Sequence, residues 1–364
     1  LLFSMFPAGG LVVAAPGSSL YEADVEVEGQ TPQERNRAIE RALMKVLIKV
    51  SGSRDALRRP EIAGATSQAS RLVQQYHYHL IPPPTGGERK ADGDGSRYLL
   101  KVRFDAGGVN RLLRDNGMPV WGSTRPATLL WLGLESNGSR SLFVPDSDPL
   151  TRDAVMRAAG DRGLVLLLPL MDLEDRSAIE FSDVWGGFEE RIASASTRYS
   201  PDAILAGRLT NAGGGLWRAE WSLYQGGQAK QWESQAPNLP AVAAAGVDRA
   251  ADVLADRFVP STSGAGMEWF SIRISNVHDF GAFQRVAAYL DSLSMVEEVR
   301  LDRVEPTAGV FRLQVRGGAE ALERAVSFGA VLDREAVPVS LPTPTTTRIT
   351  PTPGTPALQY RLRQ

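Results

Sequence analysis

Leu164-Val165-Leu166-Leu167-Leu168-Pro169-Leu170 decides how the centre of this chain folds. The run is far shorter than the roughly 20 apolar residues that cross a bilayer. A short apolar run closed by proline reads instead as a buried strand. Before it, Asp148 precedes Pro149–Gly163, a helix with proline in its first turn and glycine at its end. Earlier still, Thr128–Leu134 is a second strongly apolar strand. After it come a loop over Asp172–Gly187, a helix over Phe188–Tyr199 and a strand over Ala203–Arg208. Gly213-Gly214-Gly215 is a turn into Trp217–Tyr224, whose alternation is strict, and Gly226-Gly227 turns into a partner strand ending near Trp232. Ala241–Phe258 is a long Ala-rich amphipathic helix. Strands separated by helices, then a hairpin and a closing helix, make 125–259 a mixed-sheet α/β sandwich.

Two smaller modules flank it, and the expected fold class is α+β with α/β character. In 20–124, Glu22–Val27 alternates as a half-buried strand, and Thr31-Pro32 with Glu34 opens a helix closed by Ser51-Gly52. A second helix is expected over Ala65–Tyr76, a polar loop over Gly86–Gly95, a strand over Tyr98–Phe104 and a short helix over Val109–Gly117. Small polar residues make 260–266 a linker. The order β-α-β-β-α in 267–336 matches a ferredoxin-like module. The Pro/Thr-rich tail, 337–364, is expected to be extended and solvated. Leu358–Arg363 has the pattern of an edge strand, but disorder is the expectation there.

Composition narrows the function classes. The 364 residues carry Lys+Arg 40 and Asp+Glu 42, with no cysteine. That excludes disulfides, thiolate metal sites and a lipidated cysteine. No basic face is visible beyond Arg54, Arg58 and Arg59, so nucleic acid is not an expected partner. The apolar start, uncharged up to Glu22, ends in Val13-Ala14-Ala15, small residues of the kind a signal peptidase reads. Residues 1–19 are therefore read as a signal peptide truncated at its start. A periplasmic address without a stable membrane span follows as an expectation.

Chemistry is sparse. Tyr76-His77-Tyr78-His79 sets two imidazoles on one face of a strand, without a third ligand nearby. His278-Asp279 reads as a helix cap. Trp217 and Trp221 share a strand face, either as core or as a recognition surface. The most distinctive stretch is the Asp172–Gly187 loop, where Asp172, Glu174, Asp175, Asp183 and Trp185 are the candidate binding residues. Carboxylates following a sheet strand can bind a ligand, support acid–base chemistry or simply favour a helix N-terminus. No catalytic set, metal or cofactor is assigned.

Several stretches resemble the DUF2066 family, exported proteobacterial proteins of unknown function. They are Leu20–Val25, Arg35–Ala38 through Val50–Arg54, Pro119-Val120-Trp121-Gly122, Arg125-Pro126, Leu170–Asp175, Asp183–Phe188 and Asp202–Arg208. The middle module is also similar, at the level of strand–helix order, to the TolB amino-terminal domain and to lipoproteins that activate peptidoglycan synthases. The expectation is an exported accessory module that binds envelope proteins or peptidoglycan-associated factors. The alternatives are a carboxylate-based or metal-dependent hydrolase using Asp172, Asp175 and Asp183, and a small-ligand binder in the groove between the first two modules.

Overall fold

The computed structural model describes residues 20–54, 62, 64, 66, 69–82, 97–122, 125–258, 267–293, 295–319, 322–323, 326, 331–335 and 358–363. The leader (1–19), the loop 86–95, the linker 260–266 and the run 337–357 lie outside them. The chain divides into two compact units: Leu1–Lys49, Tyr76–Arg103 and Arg125–Leu254 form one, and Val50–Gln75, Phe104–Thr124 and Ala255–Gln364 the other. Helices and mixed sheets are combined in an α+β fold with three sheets among the described residues.

The first sheet has the order β1 (Glu22–Val27), β3 (Arg97–Phe104), β2 (Val73–Ile81). Ala23, Val25 and Val27 are buried while Asp24 and Glu26 point to solvent, as the alternation requires. Helix α1 (Pro32–Ser51) lines the open edge of β1 with a ladder of cations. Arg41 Nη2 donates to the Glu26 carbonyl (3.3 Å), Lys45 Nζ to that of Asp24 (3.0 Å) and Lys49 Nζ to that of Glu22 (2.8 Å). Four helical residues rise about 6 Å and two strand residues about 6.8 Å, so the two repeats match. Desolvation of the buried Lys49 amine pulls its pKa below the ordinary value.

Thr31 caps α1 as expected, its Oγ1 accepting the Glu34 N–H (3.3 Å), while the Glu34 carboxylate accepts the N–H groups of Glu28 (2.7 Å) and Gly29 (3.0 Å). Two other local expectations change. Of the helix expected over Ala65–Tyr76, Thr66 is helical, but Ala69–Leu72 is a 3-10 turn and β2 begins at Val73. Gln74 and Gln75 suit a helix, but the Tyr76–His79 run favours a pleated strand and prevails. Helix α2 (Ala106–Asp115) starts earlier than expected because the Asp105 carboxylate caps it through the Gly108 N–H (2.6 Å).

The second sheet runs β5 (Ser139–Leu142), β4 (Ala127–Ser136), β7 (Ala203–Asn211), β8 (Trp217–Gln225), β9 (Gln228–Ala236), with β6 (Val165–Leu167) also pairing β4. β4, β6 and β7 are parallel, and β8 and β9 return antiparallel. Leu129 and Trp131 on one face of β4 and Leu130 and Leu132 on the other are all buried, so both faces are covered. Helix α3 (Pro149–Arg162) is capped by Asp148 and ends at Gly163, φ 63°. Its Arg162, buried, pairs with Asp248 (3.0 Å) and Asp252 of helix α7 (Leu239–Phe258). Trp221 is core, bedded between Gly207 across the ladder and Gly246 of α7.

The third sheet has the order β11 (Val296–Glu305), β12 (Ala308–Arg316), β10 (Met267–Ser275), β14 (Leu358–Leu362), β13 (Leu332–Arg334). β10, helix α8 (Phe280–Ser292), β11 and β12 follow the expected split β-α-β-β pattern, and the described residues at 318–326 are helical. Leu358–Leu362 is neither disordered nor an edge strand. It pairs parallel with β10 and antiparallel with β13, inside the sheet. Leu358, Tyr360 and Leu362 alternate into the core, which supplies the drive for this insertion.

Two glycine substitutions test the packing with opposite signs. A Cβ at Gly246 would lie 2.1 Å from the Trp221 ring, whereas at Gly160 it meets nothing within 4 Å. Gly246→Ala is expected to lower the unfolding free energy by about 1–3 kcal/mol. Gly160→Ala should raise it by up to about 1 kcal/mol. Denaturant titrations read both, and the reverse order would contradict the packing described.

Candidate functional site

The segment expected as a loop, 172–187, is two short helices, α4 (Leu173–Ala178) and α5 (Phe181–Gly186), followed by α6 (Glu189–Ser196). Acidic residues are what start them. Asp172 is the N-cap of α4, its Oδ1 accepting the Asp175 N–H at 3.0 Å. Asp183 Oδ2 accepts the Glu180 N–H at the start of α5 (2.8 Å), and Gly187, φ 66°, closes that helix. The sequence thus spends its carboxylate pattern on helix termini, the structural alternative noted for it.

Asp172, Glu174 and Asp175 come together around one cation that the sequence reading missed. Arg198 Nη1 donates to Asp172 Oδ1 (2.8 Å) and Asp175 Oδ1 (2.9 Å), and Nη2 to Asp172 Oδ2 (3.1 Å), with Glu174 3.4 Å away. Asp175 is 0% exposed. Its Oδ2 also accepts the Met171 N–H (2.8 Å) and the Tyr199 hydroxyl (2.6 Å), and that hydroxyl accepts the Leu170 N–H (2.9 Å). Met171 is held at φ 53° between these bonds. The Arg198 hydrogen bonds hold the Asp172 carboxyl at about 2. Burial, then the bond to Asp175, pushes the Tyr199 phenol up to about 12.

Asp183 and Trp185 are not part of this cluster's bonding. Asp183 faces Arg191 at 3.7 Å. Trp185 stacks on Phe181 (4.9 Å between centroids, 25°), and both rings lie against Gly133 of β4. The Trp185 carbonyl accepts Arg208 Nη1 (3.1 Å). Trp185 is therefore a half-buried packing residue of α5. Three large apolar side chains in and beside this layer stay open to solvent among its exposed polar residues. Leu170 is 39% exposed, Leu173 87% and Phe188 55%.

Elsewhere, His77 and His79 lie side by side on β2, ring centroids 6.4 Å apart. No group of three His, Cys, Asp or Glu able to hold a metal is found among the described residues. Asp279 caps α8 through the Ala282 N–H (2.7 Å), as its position suggested. A cleft of ≈ 370 Å³ lies between the β1 edge and α3, its walls including Lys45, Lys49, Arg157, Glu22, Asp24 and Asp161. Lys45 and Lys49 are occupied by strand carbonyls, and Lys101 lies 3.2 Å from Glu22.

A protein-family comparison matches residues 14–122 to a domain of unknown function, DUF8605. That is under a third of the chain and ends before the acidic segment. No curated protein matches the chain.

Two measurements check the cluster. Tyr199→Phe takes a donor from Asp175 and an acceptor from Leu170, and is expected to cost about 1–3 kcal/mol at neutral pH. The depressed Asp172 pKa contributes stability that is present above about 4 and lost as pH falls through about 2. Asp172→Asn should therefore be less stable at pH 6 and show a flatter loss over that acid window. Parallel acid profiles for the two proteins would contradict the Arg198 pairing.

Proposed function

We propose that the protein is a non-catalytic interaction module of the bacterial cell envelope, exported by the leader in 1–19, that docks a partner protein through the α4–α6 layer. One observation carries the reading. Around a carboxylate cluster whose acceptors are already engaged by Arg198, Tyr199 and backbone N–H groups, Leu170, Leu173 and Phe188 remain exposed. Large apolar side chains left in water beside a rigid, hydrogen-bonded frame are the usual anchors of protein recognition. The carboxylates act by holding the frame, and the apolar residues by contacting the partner. Envelope proteins and peptidoglycan-associated factors are the partner classes this reading favours, with the periplasm as the address.

In-cell crosslinking of the full chain tests it. Leu173→Glu and Phe188→Ser are expected to cut the captured partner about tenfold, the loss of one anchor of roughly 1.4 kcal/mol, with an unchanged melting temperature. Asp175→Asn should lower both capture and melting temperature. Capture that survives Leu173→Glu and Phe188→Ser together would refute the assignment.

A further inference from the structure

The C-terminal sheet has one covered face and one face that is open around Met267 and Trp269. Ile272, Ile274, Phe311, Leu313 and Val315 form a core with Val286 and Leu290 of α8 and with Leu322 and Val326. By the period-2 rule, Met267, Trp269 and Ser271 of β10 and Arg312, Gln314 and Arg316 of β12 share the opposite face. The ladder sets Met267 against Arg316, Trp269 against Gln314 and Ser271 against Arg312. Trp269 is 38% exposed and Met267 40%.

The charges on this face are not balanced. The Arg300 and Arg312 guanidinium carbons lie 4.9 and 5.4 Å from the Trp269 ring centroid. Arg300 is held by Glu298 (2.6 and 3.1 Å), and Arg273 by Glu305 (2.9 Å). Among the described residues, Arg312 and Arg316 have no carboxylate partner. Four residues apart on one strand, they are separated by about 13 Å, with the indole between them on the neighbouring strand.

We propose that this face docks an extended acidic segment of a partner protein. Carboxylates four residues apart would pair with Arg312 and Arg316, and an apolar side chain between them would lie on Trp269 and Met267. The pitch follows because an extended peptide advances by the same amount per residue as the strand beneath it. A nucleic-acid strand, charged at every nucleotide, would instead meet Glu298 and Glu305 on neighbouring positions. The surface shares no residue with the α4–α6 layer and is tested with a synthetic probe, so either reading can fail alone.

Fluorescence anisotropy of the full chain provides the test. The probe is a short fluorescein-labelled peptide with glutamate at every fourth position and leucine between, compared with its glutamine counterpart and a labelled oligothymidylate. The glutamate peptide should bind, more weakly as salt rises. Arg312→Glu with Arg316→Glu should weaken it about tenfold or more, as charge-assisted hydrogen bonds predict. Trp269→Ala should weaken it about fivefold, and the arginine pair keeps the test decisive if that variant fails to fold. No binding, equal binding of the glutamine peptide, tighter binding of the oligothymidylate, or insensitivity to the arginine pair would each overturn the proposal.

Discussion

The middle module depends on Asp175, a carboxylate fully withdrawn from water. Burying a charge costs several kcal/mol unless donors replace the lost hydration. Here a guanidinium, a phenol and a backbone N–H do so, and they come from the two ends of the segment. Arg198 and Tyr199 stand at the end of the segment and Met171 at its beginning. The bonds therefore close the three helices into one layer over β4 and β7. Ser196 continues the closure by accepting the Trp131 indole N–H (3.0 Å) while donating to the Ile192 carbonyl (2.6 Å). Function, on this account, is carried by what the frame leaves outside it.

Open sheet margins are handled by the same principle of filling acceptors. A strand edge with free carbonyls invites pairing with another chain. On β1 the carbonyls of Glu22, Asp24 and Glu26 are taken by Lys49, Lys45 and Arg41 of α1. In the C-terminal sheet the margin of β10 is taken by β14 instead. The Trp269 surface differs from both, because there the backbone is paired and the side chains are what remain unsatisfied.

Local patterns carried most of the architecture. Caps such as Asp148, the alternation of β1 and β8, and the glycine turns at 213–215 are nearest-neighbour signals, and the structure follows them. The acidic segment was conspicuous for its density, yet its meaning lay in Arg198, 26 residues from Asp172. A pairing at that distance has no signature in one sequence, so helix-starting carboxylates could not be told from a ligand loop. Leu358–Leu362 was misjudged for a related reason. Its period-2 pattern is clear, but the Pro/Thr-rich run before it masked a strand whose partners lie far back in the chain. The exposure of Leu173, Phe188 and Trp269 was not legible at all, since exposure depends on what packs above a residue.

A double-mutant cycle in unfolding free energy between Asp175→Asn and Arg198→Gln most directly tests whether the acidic segment is an internal clasp. The account predicts a coupling of about 1–3 kcal/mol, as for neighbours in one buried network. Additivity to within about 0.5 kcal/mol would contradict it and return the carboxylates to the role of a ligand site.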